Sequence, residues 1–180
     1  MLKEIQHVQQ HAICLYTEVQ LEAAIDAMAI AINQRLSDEN PLVLCVINGG
    51  IIITGKLLPK LNFPLTLDSI HASRYRNSTS GSEMQWLYKP TTLLNGRTIL
   101  VVDDILDEGH TLHAIVEYCL QAGAKAVYTA ALLDKNIGKS KPITADFIGL
   151  NVENHYLFGY GMDYKGYLRN AAGIFACKEI

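Results

Sequence analysis

The residues best suited to chemistry follow the most β-branched run of this chain. The segment Ile99–Leu112 reads ILVVDDILDEGHTL, and it places a buried-type strand directly before Asp103 and Asp104. A short turn then carries five residues, which are Asp107, Glu108, Gly109, His110 and Thr111. A helical pattern begins after them. In an open α/β sheet, ligands bind at the carboxyl ends of the strands, so this turn is a candidate ligand site.

The turn is suited to holding an anion. A helix that begins here presents unpaired backbone N–H groups and the positive end of its dipole. Gly109 allows the backbone to approach a phosphate closely, and Thr111 offers a hydroxyl donor. The sequence therefore predicts a binding site for one phosphate monoester.

The two adjacent carboxylates require a different partner. Asp103 and Asp104 would repel a bound phosphate unless cations or hydroxyl groups intervene. Sugar hydroxyls and a hydrated Mg²⁺ both qualify, because Mg²⁺ prefers a few carboxylates together with substrate oxygens. Successive strand residues point to opposite faces, so at most one of the pair is expected to face the ligand directly.

Other interpretations of the segment remain open on these residues alone. A strand that ends in Asp-Asp is also found in Walker B segments, but the chain has no GxxxxGK[ST] loop. The acidic pocket of a receiver domain leaves the Gly-Thr turn unexplained. A purely structural strand end with solvated carboxylates is a third interpretation. His110 and His113 lack a third nitrogen or sulfur ligand at suitable spacing, so they do not predict a metal site.

The surrounding sequence alternates between helical and strand patterns. Thr17 and Gln20 resemble a capping box, and apolar residues recur at helical spacing from Leu21 to Leu36. Leu42–Ile47 reads as a buried strand, which Asn48-Gly49-Gly50 interrupts before a helix over 51–58. Further strands are predicted at Leu65–Ala72, Thr98–Val102, Ala126–Leu133 and Asp146–Leu150, and a further helix at Thr111–Ala122, with Gly123 as its C-cap. This order predicts an α/β fold with a largely parallel sheet.

Composition limits the class of protein. The chain has 180 residues, 18% of them charged and 49% hydrophobic, which suits one globular domain. A net charge of −3 without a basic run argues against nucleic-acid binding. Its cysteines form no CxxC pair, and we expect reduced thiols. Without an apolar leader or a bilayer-length apolar run, the chain is expected to be cytoplasmic and not bound to a membrane.

The segment Ile99–Leu112 resembles the phosphoribosyl-pyrophosphate motif of type I phosphoribosyltransferases. Three further segments resemble the hypoxanthine-guanine branch of that family. LFGYGMDYKGYLRN at 157–170 resembles its C-terminal base and pyrophosphate segment, and ALLDKN at 131–136 resembles its purine-lysine strand. SRYRNSTSG at 73–81 resembles its flexible loop. The resemblance covers about residues 10 to 177, which is nearly the whole chain.

The resemblance implies roles for the residues of the first motif and of the lysine strand. Asp103 and Asp104 would meet the ribose hydroxyls, directly or through Mg²⁺. Asp107 would accept a proton near N7 of the base, and the amides of residues 107–111 would hold the 5-phosphate. Lys135 would reach the exocyclic oxygen O6 of the purine.

The resemblance also implies roles at the other segments. Tyr156 would stack on the purine, and the backbone of Leu157 would pair with the base edge. Asp163 would lie at the purine and hold a second Mg²⁺, and Arg169 would bind the pyrophosphate. Asn48-Gly49-Gly50 would form the second pyrophosphate loop, where some members have a lysine at the first position; backbone amides remain available here.

The implied activity is purine salvage. A ribose 5-phosphate would pass from 5-phosphoribosyl 1-pyrophosphate to hypoxanthine or guanine, giving IMP or GMP and pyrophosphate. The implied fold is a central, mostly parallel sheet flanked by helices, with a small hood built from the chain ends, in a single domain. The family resemblance further implies a homodimer or homotetramer and a flexible loop containing Ser73, Arg74 and Tyr75, with residues 76–83 closing over the sugar.

Two other functions are weighed against this one. A regulator that binds nucleotide without catalysis is expected to lack Asp107, Lys135 or Arg169, and all three are present. A salvage enzyme for adenine or a pyrimidine is disfavoured by the C-terminal segment.

Overall fold

The computed structural model of this chain describes residues 1–74 and 84–178. Its helices are α1 (Leu2–His11), α2 (Glu18–Leu36), α3 (Ile51–Leu57) and α4 (His110–Gln121), with a short 3-10 turn at Leu58–Lys60. Its strands are β1 (Ile13–Thr17), β2 (Leu42–Val46), β3 (Thr66–Arg74), β4 (Met84–Tyr88), β5 (Thr98–Leu106), β6 (Ala126–Asn136), β7 (Phe147–Glu153), β8 (Leu157–Phe158) and β9 (Gly173–Ala176).

The main sheet has six strands in the order β4-β3-β2-β5-β6-β7. All neighbours are parallel except β3 and β4, which form an antiparallel edge. Strands β2 and β5 lie at the centre, and β2 and the Ile99–Val102 part of β5 are apolar and buried, as expected for strands covered on both faces. The predicted mostly parallel sheet is confirmed.

Side-chain alternation divides the core into two layers. Val43, Leu100 and Val102 point to the face that α2 and α3 cover. Leu44 and Val101 point to the opposite face, which α4 covers. Because successive strand residues alternate between faces, the same strands supply both layers of the core.

Helix α2 begins where the sequence predicts it to begin. Thr17 and Gln20 form both hydrogen bonds of a capping box at its N-terminus. The apolar residues at helical spacing are buried, among them Leu21, Ile25 and Ile32. These contacts fix α2 against the sheet.

The hood is a second, three-stranded sheet in the order β1-β9-β8. It joins the two ends of the chain, because β1 pairs antiparallel with β9, as does β8. Helix α1 packs Ile5 and Val8 against Phe158 and Leu168. The predicted hood from the chain ends is therefore confirmed, and its strand β8 holds Leu157.

Several boundaries differ from the sequence prediction. Strand β5 continues past Val102 to Leu106, so Asp103 and Asp104 lie within the strand rather than after it; pairing with β6 extends that far. Ser73 and Arg74 belong to β3 rather than to a flexible loop, because they pair with β4. Tyr75 and the predicted lid at 76–83 lie outside the described residues.

Among the described residues, the helices are all too short or too polar to cross a membrane.

Asp68 in β3 holds the loop between β4 and β5 in place. Its carboxylate accepts hydrogen bonds from the amides of Ser69, Thr91 and Thr92 and from the Thr92 hydroxyl, at 2.7 to 3.0 Å. Burial opposes ionisation of this carboxyl, but the four hydrogen bonds outweigh it and hold the pKa of Asp68 below its ordinary value. The residue therefore stabilises the folded state in its charged form.

We expect Asp68→Asn to lower the free energy of unfolding by about 1–3 kcal/mol at pH 7. An amide has a single acceptor oxygen, so in either orientation its NH₂ group faces a backbone N–H. A lowered carboxyl pKa contributes stability above the unfolded-state value, and this contribution is lost as the pH falls. The difference from wild type, measured by urea unfolding, should therefore shrink as the pH falls towards and below 3.8. Exposed Asp38→Asn is the control, and an equal loss in both variants would contradict the anchoring role.

Candidate active site

The carboxyl end of β5 leads through a three-residue turn into α4. Gly109 has φ +82° and immediately precedes the helix, a conformation that favours glycine. Gly109 offers no side chain to cap the first amides of α4. A helix start of this kind is a site for an anion. The predicted turn is found, but it is shorter than predicted, because His110 and Thr111 already belong to α4.

Lys135 and Asp107 meet at the ends of neighbouring strands. The Lys135 ammonium donates to a carboxylate oxygen of Asp107 at 2.9 Å. The lysine side chain is 10% exposed, whereas that of Asp107 is 49% exposed. A lysine buried to this extent requires a charged partner, and Asp107 supplies it from the cleft side. The prediction placed these two residues at one base, and the structure brings them into contact.

Asp103 and Asp104 form a close acidic pair inside β5. The amide of Asp104 donates to an oxygen of Asp103 at 2.9 Å. Burial raises the pKa of both carboxyls above the ordinary value. At Asp103 the charge of Asp104 raises the pKa further, whereas the charge of Arg169 acts in the opposite direction at Asp104. The pair is therefore suited to a cation or to hydroxyl donors.

Two glycines allow three segments to converge on Asp104. A Cβ added to Gly49 would lie 2.3 Å from a carboxylate oxygen of Asp104. A Cβ added to Gly161, which has φ +112°, would lie 2.1 Å from the carbonyl oxygen of Gly49. The peptide between Ile47 and Asn48 is cis. The predicted pyrophosphate loop, Asn48-Gly49-Gly50, thus lies against Asp104 and against the hood.

Arg169 is held beside the same cleft by two contacts. It donates to the carbonyl of Gly161 and to the carboxylate of Asp163, both at 2.6 Å. Asp163 also accepts from the amide of Gly166 at 2.7 Å. Both charged side chains remain about one-third exposed, so they stay accessible to a ligand.

A cleft of about 370 Å³ lies between the strand ends and the hood, a volume in the range of small-molecule sites. Asp104 lines it, as do Asp107 and Lys135. Tyr156 and Leu157 line it from the hood, and the Tyr156 ring meets Tyr164 edge-on at 5.5 Å. The remaining lining residues are Ile105, Met162 and Asp163.

Sequence reasoning did not assign Ile105, Met162 or Gly161. The first two are apolar and line the cleft. Their position inside the two motif segments was the available signal, since each lies beside an assigned aspartate. Gly161 gave no signal, because its close approach to Gly49 depends on the folded hood.

Comparison with known proteins agrees with this geometry. The family described as phosphoribosyl transferase domain matches residues 15–165. The chain is 31% identical to the hypoxanthine-guanine-xanthine phosphoribosyltransferase of Tritrichomonas foetus, over 92% of this chain and 91% of that protein. It is 32% identical to the hypoxanthine-guanine phosphoribosyltransferase of Bacillus subtilis, over 87% of each.

A solved structure shows the same fold. The hypoxanthine-guanine phosphoribosyltransferase of Bacillus anthracis superimposes with a TM-score of 0.86 at 28% identity, covering 92% of this chain and 98% of that one. Together with the family match over residues 15–165, these similarities show that the chain belongs to the type I phosphoribosyltransferases, in their hypoxanthine-guanine branch.

Proposed function

We propose that this chain transfers the 5-phosphoribosyl group of 5-phosphoribosyl 1-pyrophosphate to hypoxanthine or guanine. The products are IMP or GMP and pyrophosphate. The observation that carries the proposal is the contact between Lys135 and Asp107 at the floor of a cleft that Tyr156 and Leu157 cover. It places a pure donor and a proton acceptor side by side, facing an aromatic side chain.

In the reaction, a bond forms between a purine nitrogen and C1 of the ribose, and the bond from C1 to the pyrophosphate oxygen breaks. Negative charge develops on the leaving pyrophosphate. The pyrophosphate is assigned to Arg169 and to the loop Asn48-Gly49-Gly50, on the side of the cleft where Gly161 meets Gly49. The Gly50 amide already donates to the Val46 carbonyl, so the assignment depends on the amides of Asn48 and Gly49. Preorganised donors of this kind stabilise a developing anion effectively.

Asp107 is the proposed acceptor of the proton that the base loses. Its carboxylate is half exposed towards the cleft and bonded on one oxygen to Lys135. Asp107 also lines the cleft. The turn from Asp107 to Thr111 would hold the 5-phosphate, because the first N–H groups of a helix such as α4 have no partner within the helix. Positioning and proton removal are thus assigned to one continuous segment.

The base specificity follows from the direction of two hydrogen bonds. A 6-oxopurine presents an acceptor at O6 and a donor at N1. Lys135 is a pure donor, and the backbone carbonyl of Leu157 is a pure acceptor. Adenine reverses both groups, so that each contact leaves a buried polar group without a partner.

We expect hypoxanthine and guanine to be preferred over adenine by about 30-fold to 10⁴-fold in kcat/KM. Each mismatch costs about 1–3 kcal/mol, and about 1.4 kcal/mol corresponds to a factor of ten. Pyrophosphate release with a panel of bases measures this preference directly. Lys135→Gln should narrow it, because an amide can turn its oxygen towards an amino group.

Lys139→Gln is the matched control, since Lys139 is exposed on the segment after β6 and should leave the preference unchanged. Equal use of adenine and hypoxanthine by the wild-type chain would show that the assignments of Lys135 and Leu157 are wrong. Nucleotide binding without any pyrophosphate release would identify a regulator instead of an enzyme.

Asp103 and Asp104 fit Mg²⁺ as the cofactor. They provide only oxygen donors, and their shared burial makes a nearby cation favourable. No group of three or more His, Cys, Asp or Glu side chains within residues 1–74 and 84–178 is arranged to hold a metal alone. Oxygens of the donor would then complete the coordination, as is usual for Mg²⁺. Bound Mg²⁺ would neutralise charge on the pyrophosphate, with Asp163 as a further candidate ligand.

Activity is therefore expected to require Mg²⁺. Excess chelator should abolish pyrophosphate release, and added Mg²⁺ should restore it, because the acidic pair and the donor otherwise repel each other. Chelator saturated with Mg²⁺ beforehand serves as the control. Full activity in excess free chelator would contradict the assignment of Asp103, Asp104 and Asp163.

A further inference from the structure

A second lysine joins the same two strand ends outside the purine cleft. The Lys141 ammonium donates to the backbone carbonyl of Leu106 at 2.7 Å and to the carboxylate of Asp134 at 2.5 Å. Its side chain is 11% exposed. Leu106 and Asp134 are register partners on β5 and β6. Lys141 therefore ties the last residue of β5 to its neighbour on β6.

This contact lies next to the proposed purine-binding pair of Lys135 and Asp107. The members of that pair come one residue after Asp134 and Leu106 in the chain. Lys135 follows Asp134, and Asp107 follows Leu106, so the two lysines bridge consecutive positions of the same pair of strands. Lys135 lines both the purine cleft and a neighbouring depression, whereas Lys141 lines only the neighbouring depression, together with Asp134. Lys141 is thus placed to act on the backbone that carries Asp107 without touching the base.

The segment that carries Lys141 also supports the phosphate turn. A Cβ added to Gly109 would lie 3.4 Å from Lys141 Cβ, Pro142 Cδ and Ile143 Cγ2, which is ordinary contact distance. The Lys141 ammonium therefore fixes the Leu106 carbonyl, where the turn into α4 begins. Residues 141–143 pack against Gly109, where the turn ends.

We infer that Lys141 is a positioning residue for the transfer reaction. It fixes the carbonyl of Leu106, and with it the peptide that leads into Asp107 and the turn that follows. This inference rests on the proposed function and adds to it a residue that acts through Asp107 and the phosphate-binding amides. Displacement of reacting groups by about 1 Å can lower the rate about a hundredfold. Loss of the contact that fixes the Leu106 carbonyl is therefore expected to lower turnover.

The test compares three variants with wild type. Lys141→Met keeps the apolar stem and removes the ammonium. In the single variant, the partly buried carboxylate of Asp134 has lost its cation. The double variant Asp134→Asn with Lys141→Met removes that carboxylate as well. Lys139→Met is the matched control on the same segment, at an exposed position. Each is assayed for kcat with hypoxanthine, for the KM of pyrophosphate in the reverse reaction, and for thermal unfolding.

We expect Lys141→Met to lower kcat by about tenfold to a hundredfold. The KM of pyrophosphate should stay within about twofold, because that ligand is assigned to Arg169 and to residues 48–50, away from the turn. The double variant should recover thermal stability but not turnover, and it carries the test if the single variant does not fold. Lys139→Met should match wild type.

Three results would overturn the inference. They are a kcat of Lys141→Met within twofold of wild type, recovery of wild-type turnover in the double variant, and a rise in the KM of pyrophosphate as large as the fall in kcat. Each would mean that the Lys141–Asp134 pair only stabilises the fold, or that the substitution disturbs the whole active site. A wild-type chain that releases no pyrophosphate would refute the proposed function and this role with it, so the two failures are distinguishable.

Discussion

The arrangement of the cleft depends on the ion pair between Lys135 and Asp107. A lysine with a side chain 10% exposed needs a negative partner, and its partner Asp107 directly follows the adjacent parallel strand. Extended pairing between β5 and β6 brings the two residues together, because the ladder continues to Leu106 and Asp134. The same ladder fixes where the phosphate turn begins. A substrate base that offers an acceptor to the lysine can therefore enter a site whose charges are already matched.

Close backbone approach is the second constraint. Gly49 meets the carboxylate of Asp104, and Gly161 meets the carbonyl of Gly49, at distances that no side chain would permit. The hood thereby reaches the strand ends, and the hydrogen bonds of Arg169 to Gly161 and Asp163 hold it beside the cleft. In the proposed function, binding of the base and binding of the pyrophosphate would both depend on one junction between the main sheet and the sheet formed by the chain ends.

Local patterns predicted the parts of this structure that depend on neighbouring residues. The capping box at Thr17 and the motif leading to Gly109 were both readable, because each is defined over a few positions. The continuation of β5 through Asp104 was not, since it depends on pairing with β6. The hood strands and α1 were missed for the same reason: they are short, and contacts between distant chain ends stabilise them. Lys141 gave no local signal of its contact with Leu106.

The most direct test of the central ion pair is the turnover of Asp107→Asn with hypoxanthine. An amide oxygen still accepts from Lys135, but it no longer takes a proton from the base. We expect kcat to fall by about 10²–10⁴-fold, the usual cost of losing a general base. Some stability should also be lost, because the largely buried ammonium of Lys135 loses its negative partner, so kcat is compared on folded protein; Asp38→Asn serves as the control. Turnover equal to that of wild type would contradict the account.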